Sequence, residues 1–295
     1  MERIARRLEL AGARLQWDES SGDIIGVDFS DAPWSSAWWA DLASLSNLRK
    51  LVLVRTGIRD TELAQLPDWP ELRRLVLTGN PISDAGLKHL RRYRRLQQLV
   101  LSYTDITDGA VIELAEWPGL KEVELRGTRI TDQGVPSLAG MPALRKLGLA
   151  ETAITDAGLK SLTSLGSLEE LDVSDSQVCG AGLTAAESLP RLRRLCLNGT
   201  GVGDDALRPL CHCAALSDLS LARTRITDRA WEMLAKMPQL RRLDVRGSHV
   251  SATAAAHWQQ RHSHCEVLYL VVLPPHELLS DPLSVFPEPD PQRSP

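Results

Sequence analysis

The chain of 295 residues is 43% hydrophobic and carries a formal net charge of −4, which argues against a nucleic-acid partner held by bulk charge. No run reaches the roughly 18 apolar residues of a membrane span, and the start MERIARRLELAGARLQW is too charged for a secretory leader. Five scattered cysteines form no disulfide framework, so we expect a reduced, cytoplasmic location.

The chain begins with a segment that differs from everything after it. Apolar residues on one face predict a short amphipathic helix over 2–12. Alternating residues then predict strands over 13–17 and 24–29, joined by a turn at Asp18-Glu19-Ser20-Ser21-Gly22. We interpret residues 1–23 as an N-terminal cap.

From residue 48 to 264 the sequence repeats with a period of 24 residues. The first leucine of each unit stands at Leu48, Leu72, Leu96, Leu120, Leu144, Leu168, Leu192, Leu216 and Leu240. Further aliphatic residues follow three and five positions later, and this short alternating pattern predicts a strand with one buried face. A period of this length indicates a solenoid, in which each repeat buries its apolar face against its neighbours. Residues 24–47 fit as an atypical first repeat with Trp34, Trp38 and Trp39, and residues 265–270 as a last strand, with Leu268 and Leu270 at the apolar positions.

The second half of each repeat predicts a helix on the opposite side from the strand. In the central unit a hydroxyl residue, Thr152, is followed by Ile154 and then by Thr155-Asp156. Ser or Thr before Asp is a helix-start signal. We expect about two helical turns per unit, ended by proline in several units before the next strand.

The segment 144–165 reads LxxLxLxxTxITDxGLxxLxxL, which resembles the leucine-rich repeat family, in a 24-residue form similar to bacterial and ribonuclease-inhibitor-like members. The resemblance implies an α/β fold: a curved, horseshoe-shaped solenoid with a parallel sheet on its concave side and short helices on its convex side. The family's usual asparagine stands only at Asn80, and Thr or Ser replaces it elsewhere. These hydroxyls are expected to donate to a carbonyl of the neighbouring turn.

The end of the chain cannot continue the repeat. Residues 271–295 contain seven prolines, at Pro274, Pro275, Pro282, Pro287, Pro289, Pro291 and Pro295. This composition predicts a partly disordered tail.

Three patterns resemble catalytic or metal chemistry but have structural explanations. Asp recurs at the helix starts, where capping and compensation of the helix dipole explain it. The clusters Cys211-His212-Cys213 and His262-Ser263-His264-Cys265 lack the spacing of common zinc sites. Cys196, expected on an exposed strand face, has no evident histidine partner. We predict no enzyme activity, catalytic residue, metal or cofactor.

The concave side is predicted to carry an apolar patch. Val52, Val76, Val100 and Val54 lie on adjacent strands and face away from the core, with Tyr103 at their edge. Contiguous exposed apolar residues mark interaction sites. The competing explanation is that Val on adjacent strands packs sideways and reflects only β-propensity.

Charged residues follow on the middle strands, where Arg126 stands beside an acidic stretch. The acidic residues are Glu122, Glu124, Glu151, Glu170, Asp172 and Asp175. We take Glu124, Arg126 and Asp172 as candidate binding residues.

A basic row is predicted where the strands begin. Its members are Arg49, Lys50, Arg73, Arg74, Lys121, Arg145, Lys146, Arg193, Arg194, Arg241 and Arg242. Stacked like charges destabilise a sheet slightly, so the row is explained either by solvated side chains or by an anionic partner. An acidic protein fits better than RNA, because no aromatic platform accompanies the row.

The sequence as a whole predicts a monomeric, non-enzymatic scaffold that binds a protein partner on its concave sheet. Alternatives are a stoichiometric enzyme regulator (an inhibitor or activating protein), a substrate-receptor subunit using the same face, and a structural role through self-association.

Overall fold

The computed structural model describes residues 1–32 and 35–269. These residues form a single sheet of twelve strands in chain order. The first pair is antiparallel and every later pair is parallel. The strands are β1 (Arg14–Trp17), β2 (Ile24–Asp28), β3 (Lys50–Val52), β4 (Arg74–Val76), β5 (Gln98–Val100), β6 (Glu122–Glu124), β7 (Lys146–Gly148), β8 (Glu170–Asp172), β9 (Arg194–Cys196), β10 (Asp218–Ser220), β11 (Arg242–Asp244) and β12 (Glu266–Leu268).

Short helices connect the strands. The α-helices are α1 (Glu2–Leu10), α2 (Trp39–Ala43), α3 (Asp60–Leu63), α4 (Asp84–Leu87), α5 (Asp108–Ala115), α6 (Asp156–Lys160), α7 (Ala230–Leu234) and α8 (Ala252–Arg261). Segments of 3-10 helix lie at Ser36–Trp38, Lys88–Arg92, Val135–Gly140, Ser161–Ser164, Leu183–Ser188, Asp204–Leu207 and Pro209–His212. Together with the parallel sheet, they confirm the predicted α/β solenoid.

The connecting helices are less regular than predicted. Only α5, with eight residues, matches the expected two turns within the repeats from β3 to β11, whereas α3 and α4 have four residues each. Pro136 and Pro209 stand at the start of two of the 3-10 segments. Proline at the first positions of a helical segment costs no hydrogen bond, because the N–H that it lacks would have no partner there.

The 24-residue register of the strands holds to the end of the sheet. Leu243 of β11 is paired with Val267 of β12, and Val267 is buried. Leu268 instead lies beside Asp244 on the opposite side of the sheet. The predicted core position of Leu268 is therefore wrong by one residue. Leu270, Trp34 and the tail 271–295 lie outside the described residues.

The core is a continuous row of aliphatic side chains between sheet and helices. Leu51 and Leu53 are fully buried, as are their equivalents in most units, and each such side chain contributes roughly 1.5–3 kcal/mol. Aromatic rings pack at both ends of the row. Phe29 stacks on Trp38 at 4.2 Å, and Trp231 stacks on Trp258 at 5.1 Å between ring centroids.

Most of the Thr and Ser residues that replace the family's asparagine form hydrogen bonds within their own unit rather than to the neighbouring turn. Thr104 donates to the carbonyl of Leu101 at 2.6 Å, and Thr128, Thr152, Ser176, Thr200, Thr224 and Ser248 repeat this contact. Asn80 does both, donating to Leu77 in its own unit and to Leu53 in the preceding one. A hydroxyl has a single donor hydrogen, so these seven residues do not make the predicted bond to the neighbouring turn, whereas the Thr56 hydroxyl lies 3.2 Å from Oδ1 of Asn80 in the next unit.

The recurring aspartates link consecutive units. The backbone N–H and the hydroxyl of Thr131 donate to the two carboxylate oxygens of Asp108, at 2.8 and 2.7 Å. The Thr131 hydroxyl accepts from the N–H of Gln133. Ser or Thr thus caps its own helical segment, while Asp caps the start of the next one. The same link joins Asp60 to Ser83, Asp84 to Thr107, Asp132 to Thr155, Asp204 to Thr227 and Asp228 to Ser251.

Candidate functional site

The side of the sheet that points away from the leucine core, here called the sheet face, carries the predicted binding residues. Parallel pairing aligns the last residue of each strand into one central column. The column runs Asp28, Val52, Val76, Val100, Glu124, Gly148, Asp172, Cys196, Ser220, Asp244 and Leu268. After Asp28, the column is apolar at the three valines and acidic at Glu124 and Asp172. Two small, uncharged residues, Cys196 and Ser220, follow before Asp244 and Leu268.

The valine patch is more covered than predicted. Val52 and Val76 are 8% and 7% exposed, while Val54 and Val100 are half-buried. Adjacent strands stand about 4.8 Å apart, so side chains in one column cover each other. The expectation that all four valine side chains would be exposed to solvent is wrong at Val52 and Val76. Sideways packing accounts for these two residues, and only Val54 and Val100 offer appreciable apolar surface.

A second column, three residues after the central one, has a strained backbone. The φ angles at Asp31, Arg55, Tyr103, Glu151, Asp175 and Arg223 lie between 52° and 65°. The equivalent positions in the other units are glycines with similar φ: Gly79, Gly127, Gly199 and Gly247. Left-handed backbone costs a non-glycine residue roughly 1–2 kcal/mol. Such strain is retained where the surrounding structure or a function requires it.

Tyr103 forms the centre of a polar cluster on this strained column. Its hydroxyl lies 3.2 and 3.1 Å from the carboxylate oxygens of Glu151 and accepts from Nε of Arg126 at 2.9 Å. Arg126 also pairs directly with Glu151 at 2.5 Å and holds the pKa of that carboxyl below its ordinary value. Tyr103 remains 49% exposed. An aromatic ring and a guanidinium are thus held in fixed positions at the surface.

Gly127 makes this cluster possible. A Cβ at Gly127 would lie 2.5 Å from the Tyr103 ring, so the ring passes over the glycine to reach Glu151 in the next unit. The side chain of Arg55 covers Gly79 in the same way, with 2.8 Å to its Cγ. The strained residues therefore lie over the glycines that follow them.

Glu124 lies at the acidic centre of the sheet face. Gly148 follows it in the column, and the Glu124 carboxylate occupies the space that a side chain at Gly148 would take. Burial, and then the charges of Asp172 and the two neighbouring glutamates, raise the pKa of Glu124 to about 7. Asp172 accepts from the backbone N–H of Ser174 at 2.9 Å. Glu124 is thus within electrostatic reach of Asp172 and Arg126, and Arg126 itself bonds to Tyr103 and Glu151.

Part of the basic row belongs to a ladder of alternating charges. From β6 onward, strand pairing places one charged residue of each strand side by side: Glu122, Lys146, Glu170, Arg194, Asp218, Arg242 and Glu266. Lys146 and Arg194 both lie 3.1 Å from Glu170. Other arginines of the row stand directly before the strands. Among them, Arg49 pairs with Asp18, Arg73 with Glu71 and Arg145 with Glu169.

The expected stack of like charges is wrong for Lys146, Arg194 and Arg242, whose neighbours on the adjacent strands are acidic. Paired opposite charges on adjacent strands stabilise a sheet modestly. Lys50 and Arg74 are neighbours of the same sign, as are Arg49 and Arg73, and Lys121 and Arg145. The stack of like charges therefore remains at these six residues.

A cavity of about 480 Å³ opens at the C-terminal end of the sheet face. Its floor includes Cys196, Ser220, Ala222 and Leu268, and its charged walls are Arg194, Arg223, Arg242, Arg246, Asp218 and Asp244. Small floor residues stand where the N-terminal strands carry valine, which leaves the space open. The sequence analysis did not identify this site.

The cysteines and histidines do not assemble into a metal site in the described part of the chain. Burial, followed by the charge of Asp172, raises the pKa of the Cys196 thiol to about 12, and burial raises that of Cys213 to about 11. Such thiols stay protonated and are poor nucleophiles. Over residues 1–32 and 35–269, no group of three or more His, Cys, Asp or Glu is placed to hold a metal ion.

Among the described residues, no helix is both long enough and apolar enough to span a membrane.

Comparison with known proteins supports the fold. A family model described as leucine-rich repeat matches residues 71–90. An internalin, InlF, of Listeria monocytogenes superposes with a TM-score of 0.54 at 18% identity, covering 90% of this chain and 93% of its own. Internalin C2 of the same organism gives 0.53 at 22% identity, covering 79% and 84%. No curated protein matches the sequence. At these identities the likeness establishes the fold alone.

Proposed function

Because this chain has the fold of a leucine-rich repeat protein, we propose that it is a non-enzymatic scaffold that binds a protein partner on its sheet face. The contact is centred on Tyr103 and Arg126, with Val54, Val100 and the acidic residues Glu124 and Asp172 around them. Val52 and Val76 pack beside Val100 in the same column.

One observation carries the proposal: Tyr103 keeps a strained backbone at a position where both flanking units have glycine. Glycine at 103 would remove that strain, so the retained tyrosine points to a use for its side chain. The ring is 49% exposed, and its hydroxyl is fixed by Arg126 and Glu151. Tyrosine and arginine are enriched among the residues that dominate protein interfaces.

Rigidity of the cluster favours binding. Ordering a flexible side chain at an interface costs roughly 0.5–1.5 kcal/mol. Arg126 is already held by two partners, and Tyr103 by its ring contact with Gly127 and its bond to Glu151. A partner that docks here therefore loses less free energy to ordering.

Other features support a binding role over catalysis and a cytoplasmic location. The half-buried Cys196 thiol has a pKa raised to about 12, which suits a structural residue. All five cysteines are free, including the neighbours Cys211 and Cys213, as expected in a reducing compartment.

Photo-crosslinking tests the proposal. A photoreactive phenylalanine analogue at position 103 should capture a specific protein from native lysate. The matched control is the same analogue at Ile112, which is 59% exposed on α5, away from the sheet face. A protein captured at 103 but not at 112 would support the proposal, and equal capture at both positions would contradict it.

A further inference from the structure

We propose that the protein partner contacts the sheet face with a segment that is acidic at one end and basic at the other. Its acidic end lies over β3 and β4, and its basic end lies over β6 to β8. This inference rests on the proposed function, because it names the chemistry of the partner that binds around Tyr103 and Arg126. It adds the orientation of that partner across the strands.

The first observation is an interruption of the charge ladder at β3 and β4. From β6 to β12 the sign changes at every strand. Lys50 and Arg74, which are paired across β3 and β4, have the same sign, and their neighbours in this column, Gly26 and Gln98, are uncharged. Like charges on adjacent strands destabilise a sheet slightly. A partner carboxylate placed between Lys50 and Arg74 would remove this repulsion.

The first strands of the sheet face retain positive charge after their ion pairs are counted. From β1 to β5, the sheet face and the left-handed column beside it carry four cations and two carboxylates: Arg14, Lys50, Arg55, Arg74, Asp28 and Asp31. Arg14 pairs with Asp28, and Arg55 pairs with Asp31. The net charge is therefore +2. It belongs to Lys50 and Arg74, neither of which forms an ion pair within the described part of the chain.

The middle of the sheet face retains the opposite charge. From β6 to β8 the same columns carry six carboxylates: Glu122, Glu124, Glu151, Glu170, Asp172 and Asp175. Four cations are in ion-pair contact with them: Arg126 with Glu151, Lys146 and Arg194 with Glu170, and Arg223 with Asp175. The net charge is therefore −2. Among the described ion pairs, none includes Glu122, Glu124 or Asp172.

Apolar surface and Tyr103 lie between the two charged zones. Val100, on β5, is half-buried and stands between Arg74 of β4 and Glu122 of β6 in strand order. At about 4.8 Å per strand, the zones are about 10 Å apart from β4 to β6 and about 24 Å apart from β3 to β8. A segment whose acidic and basic groups are separated by such a distance can contact both zones and place an apolar residue on Val100.

The charge pattern favours one orientation of the partner over the reverse. Turning the segment around would bring its acidic end to Glu122, Glu124 and Asp172 and its basic end to Lys50 and Arg74. Like charges placed together at an interface suppress the wrong arrangement. A uniformly acidic ligand would be attracted to one zone and repelled by the other. The pattern therefore fits a protein segment that carries both signs.

The test measures the affinity of the partner captured at position 103 for Lys50→Glu/Arg74→Glu. We expect this variant to bind about tenfold more weakly than wild type, because it reverses the charge that faces the acidic end. The matched control is Arg49→Glu/Arg73→Glu, which makes the same charge change one residue earlier on the same strands, where the arginines pair with Asp18 and Glu71. Its affinity should stay within about twofold of wild type.

A second measurement identifies the partner residues and excludes misfolding. A carbodiimide reagent joins a lysine amine directly to a carboxylate in contact with it. In the wild-type complex it should link Lys50 to an Asp or Glu of the partner. Changing that partner residue to Lys should restore affinity for Lys50→Glu/Arg74→Glu, which an unfolded variant would not show.

The outcomes separate this inference from the proposed function. If the partner captured at position 103 binds Lys50→Glu/Arg74→Glu as tightly as wild type, or if both double variants lose affinity equally, the orientation is wrong and the binding surface stands. Failure of the partner's charge change to restore affinity would also overturn the inference. If position 103 captures no specific protein, the proposed function and this inference are both wrong.

Discussion

The hydroxyl of Tyr103 bonds to the carboxylate of Glu151, 48 residues away, by passing over the glycine of the unit between them. Both residues have left-handed backbone, with φ of 56° and 54°. The contact thus spans three consecutive units and fixes an exposed aromatic ring against the sheet face.

Gly127→Ala should disrupt this contact. The substitution adds left-handed strain of roughly 1 kcal/mol or more, and its Cβ would collide with the Tyr103 ring. We expect a larger loss of unfolding free energy than in the control Gly57→Ala. Gly57 has φ of 79° with open space around its Cβ position, so only strain applies there. Urea unfolding measures both variants, and equal losses would show that the ring does not occupy this position.

Asp108→Ala should destabilise the solenoid by about 1–3 kcal/mol, because two donors of Thr131 lose their acceptor. The control is Asp105→Ala, which removes an exposed ion pair with Arg129 and should cost no more than about 1 kcal/mol. Thermal and urea unfolding compare the two. Similar small effects would mean that the aspartates do not link the units.

The raised pKa of the Glu124 carboxyl predicts that the stability of the fold depends on pH. Its pKa is about 7 in the fold, above the ordinary 4.5, so the folded protein binds this proton more tightly than the unfolded chain. The stabilisation is complete below pH 4.5 and is lost as the pH rises towards 7. Glu124→Gln should therefore gain stability relative to the wild type between pH 5 and pH 8, on the order of 1–3 kcal/mol. A difference that does not change with pH would contradict this assignment.

Val76→Glu should cost at least about 2 kcal/mol, since a charge would be placed at a covered position. Val54→Glu, at a half-buried position, should cost less. Urea unfolding tests this order, and the reverse order would contradict the packing described for the patch. Variants at Val52 or Val76 are consequently poor tests of binding, because they also change stability.

The repeat, the strands and the parallel sheet could be predicted from sequence because the leucines recur every 24 residues and each serves the same core. The position of Leu268 could not, since Cys265 and Val267 fill the last core positions and shift the apparent pattern by one residue. Here the strand register decides which residue is buried.

The candidate site was only partly predictable. Tyr103 was identified at the edge of the valine patch and Arg126 beside the acidic stretch, but their joint contact with Glu151 depends on the ring crossing Gly127. A signal was present in the sequence. Glycine occupies four of the ten positions spaced 24 residues apart from Asp31 to Gly247, which suggests a left-handed turn. The cavity was missed because it arises from small floor residues on several strands, and no motif marks it.

The most direct test of the central claim is the affinity of the captured partner for Tyr103→Gly, compared with wild type and with Asp31→Gly. Both variants relieve backbone strain at the same position of the repeat. The free energy of unfolding of Tyr103→Gly should stay within about 1 kcal/mol of the wild-type value, because this relief offsets the lost ring contacts. We predict that Tyr103→Gly weakens binding by at least about tenfold while Asp31→Gly stays within about twofold of wild type. Wild-type affinity in a folded Tyr103→Gly variant would contradict the proposed binding surface.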